Sequence, residues 1–166
     1  MGRVVRLGVC RPGRVESDRV SSMLLDELGI VGDRHAGATL KAGPRQKGVP
    51  RGTVLPNTRQ VSIVSVEESA GVARALGLAQ LDFTLLAANL EVEGVPALTQ
   101  LRPRSVLRFA GGVVLRVEGE NEPCRKVGKL IAPGFVKAAW GRRGLVGWVE
   151  RAGVLTEGEA FEVSHD

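Results

Sequence analysis

Six short runs rich in β-branched residues, glycine-marked turns between them and few helix signals predict a mainly β (α+β) chain, a barrel or sandwich carrying a few short helices. In chain order the runs fall at 4–9, 60–66, 105–109, 113–117, 144–149 and 160–163, and Gly111-Gly112, Gly119 and Gly153 punctuate them. One helix is well signalled: Ser65-Val66-Glu67-Glu68 has the Ser-x-x-Glu form of a capping box, and Gly77 stops the run that follows. A second helix is expected from Pro123 toward Ile131, and a third from Pro133 to Trp140. Residues 21–28 read equally as helix or strand. Residues 36–60 interleave Gly37, Gly43, Gly48 and Gly52 with Pro44, Pro50 and Pro56, which breaks both patterns and reads as a long mobile loop, basic and Gly/Pro-rich over 38–58.

The 166 residues suit one domain spanning 1–166. No apolar run is long enough to cross a bilayer, and charge interrupts the first residues too early for a secretion signal, so the expected setting is cytoplasmic. Two cysteines and two histidines neither build a disulfide framework nor match the spacing of a structural zinc site. The net charge of +5 is segregated: 102–143 carries +7, 36–60 carries +5, and the remainder carries −7. Such segregation points to an anionic partner. Aromatic residues are 4% of the chain and tyrosine is absent, so base stacking is poorly supplied and nucleic acid is not the expected ligand.

Chemistry centres on Cys124, in Asn121-Glu122-Pro123-Cys124-Arg125-Lys126. Proline in a first helical turn would set the thiol at the positive end of a helix dipole beside two cations. A thiolate so favoured can be a nucleophile, a persulfide carrier or a soft-metal ligand. Cys10, at the end of the first strand, is expected to pack. Asp33 and His35 in Gly32-Asp33-Arg34-His35-Ala36-Gly37 could form an acid/base pair, with Gly32 allowing a ligand close to the backbone. Arg59-Gln60 could present a guanidinium to an anion, and Asn89 either caps a turn or binds. No phosphate-cradling Gly-Lys-Ser/Thr loop, dinucleotide fingerprint or Gly-x-Ser-x-Gly elbow is present.

The order of these pieces is more specific than any one of them. Gly32 to Gly37, Arg59 to Ile63, Asn89-Leu90, Pro123-Cys124 and Arg143 to Val149, followed by the Gly153–Glu159 tail, together resemble the MOSC family, named for the C-terminal domain of molybdenum cofactor sulfurase. The resemblance implies a barrel-like fold and a role for Cys124 in carrying sulfur or ligating molybdenum. It also implies a cofactor-binding set of Gly32, Asp33, His35, Arg59, Gln60, Asn89 and Arg125, with molybdopterin, an anionic pterin cofactor, as the ligand. The activity implied is sulfur transfer. The alternatives are a molybdenum-dependent reductase of N-hydroxylated substrates, fed by an electron-transfer partner, and a cofactor-free anion-binding module. Pyridoxal phosphate would belong to a separate cysteine desulfurase partner. In one departure from the family pattern, residues 38–58 intervene where a short connection is usual; in another, Ala87-Ala88 replaces Gly-Glu.

Overall fold

The structure is a computed structural model and describes residues 1–165. All six expected strands form, as β1 (Gly2–Val9), β7 (Val61–Ser65), β9 (Val106–Phe109), β10 (Val114–Glu120), β11 (Leu145–Arg151) and β13 (Ala160–Ser164). With β8 (Leu90–Glu93) they close a seven-stranded barrel in the order β13-β9-β10-β11-β7-β8-β1, with β1 pairing back onto β13. Barrel closure removes the sheet edges that a sandwich would leave. Neighbours run antiparallel except β7 and β8, which pair in parallel. A parallel pair needs a crossover, and α1 (Val66–Ala75) supplies it.

The alternation of strand residues builds two apolar layers. Val61, Ile63, Leu90, Val92, Leu115, Leu145 and Phe161 fill the barrel interior. Val64, Val72, Phe83, Leu86, Val127 and Phe135 form a second cluster outside the wall, beneath α1, α2 (Arg125–Ile131) and α3 (Phe135–Ala139). Cys10 is fully buried in that outer layer, which is the packing position expected of it.

Ser65 caps α1 by accepting from the Glu68 N–H at 3.2 Å. The reciprocal half of the capping box is absent, because the Glu68 carboxylate turns to Thr99 instead, accepting from its N–H at 3.0 Å and its hydroxyl at 2.7 Å. The ambiguous segment 21–28 is strand β3 (Ser22–Asp26), which pairs with β12 (Gly153–Thr156) and β4 (Gly29–Ile30) in a small second sheet. A short β2 (Asp18–Val20) extends the barrel sheet beside β1.

The 38–58 segment differs from the expected mobile loop. It is a hairpin of β5 (Thr39–Lys41) and β6 (Val54–Pro56), with Thr39 opposite Pro56 and Lys41 opposite Val54. Its glycines and Pro44 and Pro50 lie outside the paired residues, where they turn the chain, and Pro56 is tolerated as the last residue of β6. Asn57 fastens the base by donating to the His35 and Gly37 carbonyls at 2.8 and 3.1 Å. Among the described residues no helix is long and apolar enough to cross a membrane.

Candidate functional site

The site lies on the outer face of the barrel, where Ser62 of β7 and Val146 of β11 sit opposite each other in register. The chain leaves β10, is pinned where the Asn121 N–H donates to the Gly144 carbonyl at 2.9 Å, and enters α2. Cys124 is the N-cap of α2 rather than a first-turn residue: its φ of −120° and ψ of 156° are extended, and its carbonyl accepts from Gly128. The thiol is half-buried and lines a cavity of about 710 Å³.

The hairpin tip roofs this cavity. Arg45 donates to the Glu122 carbonyl at 3.0 Å and Lys47 approaches the Glu122 carboxylate at 3.7 Å, which ties the tip to the residues just before Cys124. Pro44 and Arg45 contribute to the lining.

Charge sets the character of the cavity. Arg34, Arg45, Arg59, Arg125, Lys126 and Arg143 line it, and among the described residues no carboxylate does. Arg143 stands out because it is only 6% exposed. Its Nη2 donates to the Leu86 carbonyl, while its Nη1 has no partner among the described residues. Burial pushes its pKa down to about 10; a thiolate at Cys124 opposes the shift and Arg45 adds to it. Arg143 therefore stays charged at neutral pH. The backbone holds it firmly: the next residue, Gly144, has a φ of +94°, and a Cβ there would lie 2.0 Å from the Ile63 carbonyl oxygen. The Gly144 N–H donates to Thr99 Oγ1 at 2.9 Å, so the buried Glu68–Thr99 pair fixes the turn that aims Arg143. Arg59 reaches Asn121 Oδ1 at 3.4 Å, and its pKa is lowered by burial and then by Arg45.

His35 also lines the cavity. Its Nδ1 lies 2.8 Å from Asp33 Oδ1. Burial alone would raise the Asp33 pKa, but hydrogen bonds from the His35 ring and from the N–H groups of His35 and Cys10 outweigh it, and the net shift is downward. An ionised Asp33 must accept, so Nδ1 carries the ring proton and Nε2 is left as the free nitrogen.

The remaining residues named from the sequence lie elsewhere. Asp33 is enclosed, with Oδ1 taken by His35 and Oδ2 accepting from the Cys10 N–H at 2.8 Å and Asn89 Nδ2 at 2.7 Å. Asn89 is fully buried, and its amide also binds Ser62 N–H and the Gly8 carbonyl, which ties β1, β7 and β8 together. Gln60 spans the Glu27 carbonyl and the Val149 N–H. Gly32 turns the chain beside Arg11, and its φ is +85°. These four support the cavity wall without lining it, whereas Cys124, His35, Arg59 and Arg125 line it directly. Sequence reasoning left Arg34, Arg45 and Arg143 out of the site set. The signal that could have found them is basic charge, with Arg34 and Arg143 inside the quoted motifs and Arg45 in the basic 38–58 segment. The ligand-type atoms of Cys10, Asp33 and His35 lie within 4.8 Å of one another, yet Asp33 is saturated by N–H donors and the Cys10 thiol donates to the Ala87 carbonyl at 3.4 Å. That triplet is a wired support rather than a metal centre.

Comparison with known proteins bears on this geometry. The family model for the MOSC domain matches residues 33–162. YuaD of Bacillus subtilis (strain 168), provisionally named for metal-sulfur cluster biosynthesis, is 42% identical over 148 residues, which cover 83% of this chain and 77% of that protein. The crystal structure of YuaD superposes with a TM-score of 0.92 at 36% identity, over 98% of this chain and 96% of that one. YiiM from Geobacillus stearothermophilus shares the fold alone, with a TM-score of 0.70 at 13% identity over 99% of this chain and 76% of that one.

Proposed function

Since the chain belongs to the MOSC domain family, we propose that its cavity binds an anionic ligand beside Cys124 and that this thiol carries sulfur as a persulfide. The observation that carries the reading is the buried Arg143 Nη1, unpartnered on a cavity of six cations that also presents a thiol. A buried guanidinium with an unused donor is costly unless a ligand oxygen or sulfur anion completes it. The provisional name of the relative YuaD, for metal-sulfur cluster biosynthesis, suits a sulfur-handling role.

In the transfer step the Cys124 thiolate attacks the outer sulfur of a donor persulfide. The Sγ–S bond forms as the donor's S–S bond breaks, and the donor leaves as its thiolate, so no oxidant is consumed. Arg125 and Lys126 favour the anionic persulfide, and the Nε2 of His35 is an acceptor for the thiol proton on the same cavity.

The molybdenum cofactor that the family implies fits this donor set. The orphaned Arg143 donor, with Arg34, Arg45 and Arg59, would hold its phosphate, and Cys124 would be the soft ligand to its metal. When bound, that group would supply a metal centre able to accept sulfur or oxygen. The test is molybdenum and pterin content after purification from a cofactor-competent host, beside Cys124→Ala. Metal and pterin that vanish with the thiol support a bound cofactor. Their absence from the parent protein leaves sulfur carriage without a resident metal.

A further inference from the structure

The geometry points to the groove between α2 and α3 as a docking surface for an acidic protein segment that inserts one apolar side chain and delivers sulfur to Cys124. This rests on the sulfur-carrying reading above for what is delivered, but not for the docking itself.

The groove encloses about 970 Å³ and is walled by Ala132, Pro133, Phe135, Val136 and Trp140. Trp140 is 62% exposed. Exposed tryptophan around a concave apolar floor is the composition of a binding anchor rather than of ordinary surface. The rim chooses the partner. Lys129 and Lys137 flank the groove, and from Pro123 to Arg143 the chain has Arg125, Lys126, Lys129, Lys137, Arg142 and Arg143 without one Asp or Glu. Complementarity therefore calls for a carboxylate-rich partner, and the apolar floor calls for a protein side chain. Position links it to the thiol: Arg125 lines both this groove and the Cys124 cavity, so a segment seated here ends at the mouth of that cavity.

The test uses the full chain and two synthetic peptides of equal length. Each has a central leucine and a terminal cysteine persulfide; one is flanked by glutamates and the other by lysines. Intact-mass time courses read sulfur arriving at Cys124. The glutamate peptide should transfer about tenfold faster than the lysine peptide. That advantage should collapse in Trp140→Ala and in the double variant Lys129→Glu/Lys137→Glu, all exposed positions whose change leaves the core intact. Free cysteine persulfide should label the parent and both variants at equal rates. Equal rates for the two peptides, or an advantage that survives the variants, overturns the docking surface. So does tighter attachment to phosphatidylglycerol vesicles than to the glutamate peptide. If free cysteine persulfide also fails to label Cys124, it is the sulfur-carrying reading that falls. A thiol-free glutamate peptide then decides the groove alone: quenching of Trp140 fluorescence sustains it, and no binding overturns it.

Discussion

Replacing Arg143 with methionine separates the cost of this residue from its use. The guanidinium is 6% exposed, makes one hydrogen bond to Leu86 and leaves Nη1 unpaired. A pKa pushed down to about 10 by burial means that the folded chain disfavours the charged form by roughly 3 kcal/mol. Methionine retains an unbranched apolar stem and removes that charge, but it forfeits a charge-assisted hydrogen bond of about 1.5–3 kcal/mol. The ligand-free variant should therefore match the parent or gain about 1 kcal/mol, raising Tm by roughly 2–4 °C for a chain of this size. Added ligand should invert the ranking. An oxyanion at a hundred times its Kd stabilises a binding protein by about 2.7 kcal/mol. The parent should thus rise by roughly 5–10 °C with molybdate or inorganic phosphate. Arg143→Met should show little shift at the same concentration. Differential scanning calorimetry, with and without each anion, reads both effects. A variant that loses more than about 2 kcal/mol without ligand, yet keeps the full anion shift, would refute this reasoning and make Arg143 a structural residue.

Asp33→Asn should lower stability by about 2–4 kcal/mol, since a buried carboxylate with four donors loses its charge-assisted bonds. Because the folded pKa of Asp33 is depressed, its contribution is present above the unfolded value of about 3.9 and is lost as pH falls through the folded value. Urea midpoints followed below pH 5 should fall less steeply in the variant than in the parent. Gly147→Ala should cost about 3 kcal/mol or prevent folding, because a Cβ at Gly147 would lie 2.2 Å from the Arg116 carbonyl oxygen across the β10–β11 pair; solubility and thermal melts check it. Iodoacetamide should add once to the native chain, at Cys124. Cys10 is fully buried and its thiol is pushed up to about 11, first by burial and then by Asp33, so it should react only after denaturation. Equal native labelling of both thiols, read by peptide mass, would contradict the assignment.

Much of the barrel was legible because its strands alternate apolar and β-branched residues under strong selection by burial. β8 was not, although Leu90-Glu91-Val92-Glu93 alternates. Asn89, after an apolar run, reads as a turn cap or a binding residue until the parallel pairing with β7 gives it its partners. The hairpin at 38–58 was hidden for the opposite reason: its paired residues are few, and the turn residues around them dominate the composition. Cys124 and Arg125 were visible through a local signal, a thiol beside cations after proline. Asp33, Gln60 and Asn89 show where local reading stops. A polar residue in a turn motif looks the same whether it faces a ligand or a neighbouring strand, and only tertiary contacts decide between the two. Arg143 makes the same point in reverse, since nothing in its local sequence announces burial.

The central claim is that Cys124 carries sulfur in an anion-binding cavity, and intact-mass spectrometry after exposure to free cysteine persulfide tests it most directly. The expected result is the gain of one sulfur atom, mapped to Cys124, reversed by a thiol reductant, absent from Cys124→Ser and slowed by saturating phosphate. Sulfur found on Cys10, or a gain that persists in Cys124→Ser, would contradict it.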